Sequence, residues 1–180
     1  QVLRNLALQY EQVSLIEHAV NQGKGAAFKT GLREASKKGY SHVVQIDADG
    51  QHNTADIAAF LQKALANQHA IINGTAVYDE SVPKHRLYGR YLTHFWVWIN
   101  TLSFSIKDSM CGFRVYPVAA TLDVINQKRV GDRMDFDTEI LVRSYWQGIQ
   151  VIDFPTQVQY PLDGVSHFKM LRDNVMITLM

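Results

Sequence analysis

The sequence is poor in cysteine, proline, net charge and long apolar runs, and each shortage closes off a class of protein. A single cysteine, Cys111, cannot form an internal disulfide. That fits a reducing compartment, so the expected location is the cytoplasm. Four prolines and 11 glycines among 180 residues exclude collagen-like and low-complexity chains. Eighteen Lys and Arg stand against 17 Asp and Glu, leaving a net charge of +1. No strong basic field exists to displace counterions from a phosphate backbone, so nucleic acid is not an expected partner. Tyr91 to Ile106 runs without formal charge, but it falls short of the roughly 20 apolar residues that span a bilayer. His94 and Asn100 also interrupt it, so no transmembrane helix is predicted. No charged segment followed by an apolar one opens the chain, and no signal peptide is visible.

What is present is an ordered globular composition, 47% apolar and 19% charged, at a length that suits one domain. Val2, Leu3, Leu6 and Leu8 to Tyr10 have rough helical spacing, and Val13 to Val20 alternates as a short strand. Ala27, Phe28, Leu32 and Ala35 recur at helical intervals and predict an amphipathic helix stopped by Gly39. His42 to Ile46 predicts a strand, and Thr54 an N-cap for a helix through Ile57, Phe60, Leu61 and Leu65. Ala70 to Gly74 predicts another strand, and the alternation predicts crossovers in a parallel sheet. Further on, Asp108 to Tyr116 reads as a loop entering a strand, and Thr138 to Gln147 as a helix ended by Gly148. Val151 to Phe154 reads as a short strand closed by Pro155.

Asp47 and Asp49 follow directly on the strand at 42–46, at the strand end where open α/β sheets place their ligands. Two carboxylates two residues apart, with Gln51 at the next alternate position, form an oxygen donor set suited to Mg²⁺ or Mn²⁺. Such a cation bridges nucleotide phosphates and offsets the charge of a departing diphosphate. The competing reading is a solvated turn rich in Asp and Gly. An EF-hand is excluded, because that loop puts Gly at its sixth position and Glu at its twelfth, whereas counting from Asp47 Gly50 falls fourth and Ala58 twelfth.

Asn21-Gln22-Gly23-Lys24-Gly25-Ala26-Ala27 joins a predicted strand to a helix. Its glycines allow close backbone approach, and the helix start offers N–H groups and Lys24 to an anion. His18 and Gly25 stand where a Walker loop needs Gly and Ser or Thr, so it is not a P-loop. An ordinary connection with an exposed Lys remains the alternative.

Together with Val44-Gln45-Ile46-Asp47-Ala48-Asp49-Gly50-Gln51-His52, this turn resembles the family 2 inverting glycosyltransferases of GT-A fold. The nearest branch is that of the dolichyl-phosphate and polyprenyl-phosphate sugar transferases. Asp108 to Arg114 is similar to the family's loop ending in Gly-Phe-Arg, and Phe136-Asp137-Thr138-Glu139 to its acidic helix start. Gly148, Pro155 and Gly164-Val165-Ser166 fall at matching places. The resemblance implies an α/β fold with a mainly parallel sheet flanked by helices. It also implies metal-dependent transfer, with inversion, from a UDP- or GDP-sugar to a lipid-linked or other hydroxyl or phosphate acceptor.

By the same resemblance Asp47 contacts donor or metal, and Asp49 with Gln51 holds the metal. Asn21, Lys24 and Gly25 lie at the nucleotide, while Arg114 and Ser166 face the donor phosphates or the acceptor. His52 and His167 fall on the acceptor side, His167 replacing a lysine of the branch. Gly74-Thr75-Ala76 lacks the arginine of the branch's Gly-Ser-Arg, and Pro161 stands in place of another, which leaves the acceptor open. If the acceptor is a hydroxyl, Asp137 or Glu139 of the acidic cluster with Asp135 is the candidate base; capping of a helix start is the alternative. Cys111 is expected to pack as a small apolar residue.

Lys84, Arg86, Arg90 and Lys107 bracket the aromatic run containing Phe95, Trp96, Trp98 and Phe104. That suits a core helix, a helix on the cytoplasmic face of a membrane near a lipid-linked acceptor, or a partner interface. A sugar nucleotidyltransferase and a non-catalytic sugar- or lipid-binding domain are the competing functions. In the family resembled, strands that cradle the nucleotide base precede the helix with which this chain begins, so residues 1–180 are expected to be one domain lacking that part and binding donor poorly.

Overall fold

The computed structural model describes residues 1–78 and 84–158, of which 78 and 84–92 are described by their backbone alone. Four strands form one sheet in the order β1 (His42–Gln45), β3 (Arg114–Pro117), β2 (Ile71–Tyr78) and β4 (Val151–Val158). β1, β2 and β4 run one way, while β3 lies between β1 and β2 and opposes both. The expected parallel direction therefore holds for three strands, but the sheet is mixed. Crossover spacing sets the direction of consecutive strands, not which later strand enters between them.

The registers align the sheet in rows. Val43, Tyr116 and, beyond, Ile71 and Val151 belong to one core, which α2 (Lys24–Lys37), α5 (Val118–Gln127) and α6 (Phe136–Trp146) cover. Val44, Val115, Ile72 and Ile152 form the next row and face the other core, closed by Phe60 and Ala64 of α3 (Ile57–Ala66). Adjacent rows point to opposite faces because side chains alternate along a strand. The third row is polar throughout: Gln45, Arg114, Asn73 and Asp153. It lies on the same face as the first and ends that core at the carboxyl end of β1, beside the third residues of β2 and β4.

Helix α1 (Val2–Gln9) forms as expected, yet none of its residues is buried. The strand expected over 13–20 is absent; Val13, Ile16 and Val20 stay exposed, and β1 pairs only with β3. Alternation cannot hold a strand without a neighbour to take its backbone hydrogen bonds. Asn53, rather than Thr54, caps the short 3-10 turn Thr54–Asp56 ahead of α3, accepting from the Ala55 N–H at 3.1 Å. Pro155 lies inside β4 instead of ending it. β4 is the edge strand of the sheet, paired along its length with β2 alone and bridged to His52 only at Val158, and at such an edge a missing N–H is tolerated.

The aromatic run forms α4 (Lys84–Thr101), with Thr93, Val97 and Thr101 buried on one face. Phe95 and Ile99 on the other side remain exposed, as do Leu102 and Phe104 just beyond. No helix among the described residues is long and apolar enough to cross a membrane. Cys111 is buried in the α3-side core, as expected.

Candidate active site

Asp47 leaves the end of β1 and meets Lys24 at the start of α2, with the Lys24 Nζ 2.7 Å from Oδ1 and 2.9 Å from Oδ2. The same ammonium donates to Asp137 Oδ2 at 2.6 Å. Gln45 Nε2 donates to the other Asp137 oxygen at 2.9 Å, and Arg114 Nη1 to its backbone carbonyl at 2.5 Å. Burial pulls the Lys24 ammonium down, but the carboxylates of Asp137 and Asp47 outweigh it and leave its pKa above the ordinary lysine value. Lys24 is thus a fixed cation between two acids far apart in sequence.

The glycines flanking Lys24 serve the segment entering α6. A Cβ at Gly23 would lie 2.3 Å from the Asp132 carbonyl oxygen, and one at Gly25 would lie 2.7 Å from Phe136 Cβ. Asn21 Oδ1 accepts from the Gly23 N–H at 3.0 Å, and the Ala26 N–H donates to the Asp132 carbonyl. The expected anion-binding turn is therefore partly occupied by protein, because tight packing of α2 on α6 requires the same absent side chains.

Gly112 performs the corresponding service for Asp47. A Cβ there would stand 2.1 Å from Asp47 Oδ2. Asp108 holds this loop, accepting from the N–H groups of Met110 and Cys111 at 2.9 and 3.0 Å and of Ala76 at 3.2 Å. Gly112→Ala is expected to push the Asp47 carboxylate from its place and cost about 1–3 kcal/mol of overpacking. A lowered Tm together with loss of the Lys24–Asp47 contact in a crystal structure of the variant is the check.

Asp49 and Gln51 lie on the open side. Asp49 Oδ1 accepts from the Gln51 N–H at 3.1 Å, and both side chains keep further oxygens available. His52 sets its ring edge against Phe113, which stacks on Phe60 at 4.1 Å. Among the described residues no group of three or more His, Cys, Asp or Glu encloses a metal ion. A Mg²⁺-type cation needs no such cage: one or two carboxylates, an amide oxygen, water and ligand phosphates suffice. The oxygen set of Asp49, Gln51 and Asp47 fits that chemistry.

Two expected residues are placed differently. Arg114 is fully buried and donates to the Ser109 carbonyl at 2.8 Å and to the Asp137 carbonyl, with Tyr116 Oη beside it at 3.2 Å. Burial beneath Asp137 makes it a strut of the site rather than a group facing ligand. Glu139 turns away from Asp47, accepting from the Gly131 N–H at 2.6 Å and from Arg143 Nε at 2.7 Å. Neither acid of the α6 first turn caps the helix through its side chain, the alternative role for them. Ser166 and His167, like Gly164, lie outside the described residues.

Sequence reasoning missed Gln45, Asn73, Asp108 and Asp153. Asn73 Nδ2 donates to Asp153 Oδ1 at 2.8 Å and to the Asp108 carbonyl at 2.7 Å, and burial pushes the Asp153 carboxyl up. For Gln45, Asn73 and Asp153 the available signal was a polar residue closing an apolar pair within a strand, whereas Asp108 lies in a loop and carried no such signal.

Residues 1–126 match the model of glycosyl transferase family 2. The chain belongs to this family. It is 26% identical to the dolichyl-phosphate beta-glucosyltransferase of Saccharomyces cerevisiae, over 96% of this chain and 56% of that protein. It is also 26% identical to the UDP-N-acetylglucosamine–dolichyl-phosphate N-acetylglucosaminyltransferase of Methanococcus voltae, over 92% and 65%. The polyprenol monophosphomannose synthase of Mycolicibacterium smegmatis gives 26%, over 92% and 62%. The chain thus spans roughly three fifths of the length of these relatives. In structure it is similar to glucosyl-3-phosphoglycerate synthase from Mycobacterium tuberculosis, solved with Mn²⁺, UDP-glucose and glycerol 3-phosphate. That likeness has a TM-score of 0.56 at 15% identity and covers 90% of this chain and 58% of the synthase. It bears out the GT-A fold.

Proposed function

We propose that this domain belongs to a transferase that moves a sugar, with inversion, from a nucleotide diphosphate sugar to a lipid-linked phosphate. The observation that carries the choice of acceptor is the engagement of both candidate bases. Asp137 is held by Lys24 and Gln45, and Glu139 by Gly131 and Arg143. A hydroxyl acceptor needs a base to take its proton, whereas a phosphate oxygen is already an anion and needs none. In that reaction the phosphate oxygen attacks the anomeric carbon, and the bond to the nucleotide diphosphate breaks with its electron pair on the departing oxygen.

Asp49, Gln51 and Asp47 are the residues that hold Mg²⁺ or Mn²⁺ in this reading. The cation supplies positive charge to the donor phosphates and to the departing diphosphate. Lys24 adds a fixed charge at the same edge, and Asn21 and Gly25 shape its turn. Asp137 positions Lys24, and Arg114 positions Asp137. His52, seated on Phe113, borders the acceptor side. The names of the dolichyl-phosphate and polyprenol relatives support the acceptor class, and the UDP-glucose in the structural neighbour supports the donor class. Exposed Phe95, Ile99, Leu102 and Phe104 supply an apolar surface suited to a membrane that carries such an acceptor.

The test is sugar transfer from UDP-glucose, UDP-N-acetylglucosamine and GDP-mannose to polyprenyl phosphate in vesicles, with Mg²⁺ or Mn²⁺. Asp49→Asn is expected to lower the rate about 100-fold while leaving the Tm within a degree or two. Equal rates with and without divalent cation would remove the metal assignment. Pyrophosphate release from a nucleoside triphosphate would instead support the nucleotidyltransferase reading.

A further inference from the structure

A cavity of about 310 Å³ runs along α2, bounded opposite by the chain linking α5 to α6. Lys29, Thr30 and Arg33 line it from the helix, at spacings that one helical face carries. Lys128, Arg129 and Asp132 line the far wall. Four cations and one carboxylate give this single cavity a formal charge of +3, in a chain whose total is +1. The remainder of the protein therefore carries a net charge of −2, so the cavity holds the excess of positive charge.

Only one of the cations is satisfied locally. Lys29 is buried and donates to the Val130 carbonyl and, at 2.8 Å, to Asp132 Oδ1. The side chains of Arg33, Lys128 and Arg129 are exposed and make no hydrogen bond or ion pair among the described residues. Three exposed like charges around one hollow give it a positive potential that attracts an anion. Arginine presents a planar fork that matches phosphate oxygens in pairs, and two of the three free cations are arginines. The volume is at the low end for a small-molecule site, enough for a phosphate-sized group and its immediate substituent.

The cavity is distinct from the candidate active site. Its walls include none of Lys24, Asp47, Asp49, Gln51 or Asp137. Lys29 and Arg33 lie five and nine residues past Lys24, or roughly 7 and 13 Å along the helix axis at 1.5 Å per residue. We propose that it is a second anion site, binding a compact ligand with two or more negative charges on phosphate oxygens. Such a group belongs either to a soluble phosphorylated compound or to a lipid phosphate headgroup.

Calorimetric titration of the 180-residue chain with pyrophosphate, in EDTA and at constant ionic strength, tests the soluble source. Sedimentation with phosphatidylcholine vesicles, with and without phosphatidic acid, tests the headgroup. The double variant Arg33→Glu, Arg129→Glu changes two exposed side chains, and its fold is checked by circular dichroism. Binding in either arm that this variant weakens at least tenfold, and that Asp49→Asn leaves unchanged, supports the site and names its source. Binding in neither arm, binding that survives the double variant, or binding lost with Asp49→Asn overturns it.

Discussion

Lys24→Met is expected to destabilise the domain by about 3 kcal/mol, because it strands two carboxylates that the ammonium now holds together. Asp137 is nearly inaccessible, and its Oδ2 would lose a partner at 2.6 Å. Asp47 would lose contacts at 2.7 and 2.9 Å while still pressed against Gly112. Urea unfolding followed by tryptophan fluorescence measures the loss. The companion Lys24→Met, Asp137→Asn should recover part of it, since it removes the uncompensated charge along with its partner. A double variant as unstable as the sum of the two single ones would show that the pair is not coupled.

The same pair fixes a pH dependence. Lys24 carries a raised pKa in the folded state, so its contribution is fully present below the pKa of an unfolded lysine and fades as pH rises through the folded value. The stability gap between the natural chain and Lys24→Met should therefore stay constant through neutral pH and close on the alkaline side, beyond the ordinary lysine range. A gap that closes between pH 6 and 8 would point to a different titrating group.

Arg114→Met is the second large effect, roughly 4 kcal/mol, because it removes donors from several buried acceptors at once. The carbonyls of Ser109 and Asp137 would lose partners at 2.8 and 2.5 Å, and Tyr116 Oη one at 3.2 Å. Methionine keeps much of the length but offers no N–H, so the cost is chiefly unsatisfied polarity rather than a cavity. Arg114→Lys should rescue only partly, since one ammonium cannot reproduce the guanidinium fork. Arg4→Ala, which opens a wholly exposed pair with Glu17, should leave the urea midpoint unchanged and serves as the control. A midpoint for Arg114→Met equal to that control would contradict the strut role.

Much of the local structure is legible in the chain because it depends on neighbours in sequence. Apolar spacing marks α2, α3 and α6, and β1 and β2 follow from short branched runs. Asp47, Asp49 and Gln51 stand at a strand end by simple succession, and the Gly-Lys-Gly turn starts a helix where its spacing puts it. Glu139 and Arg114 illustrate the limit. Both sit in motifs that point toward a ligand, yet one faces Arg143 and the other is buried under Asp137. Which way each turns depends on what the rest of the fold places around it.

By itself, then, the sequence determined α2, α3, α6, β1 and β2 and the motifs that mark the family, since each is a pattern of near neighbours, whereas the strand expected over 13–20 found no partner and did not form. The tertiary structure alone decided that β3 enters between β1 and β2, and so aligned Gln45, Arg114, Asn73 and Asp153 in one polar row. It also brought Lys24, Asp47 and Asp137 within hydrogen-bond reach. The physical reason is that periodicity records which face of an element is apolar, whereas strand order and register decide which polar ends meet.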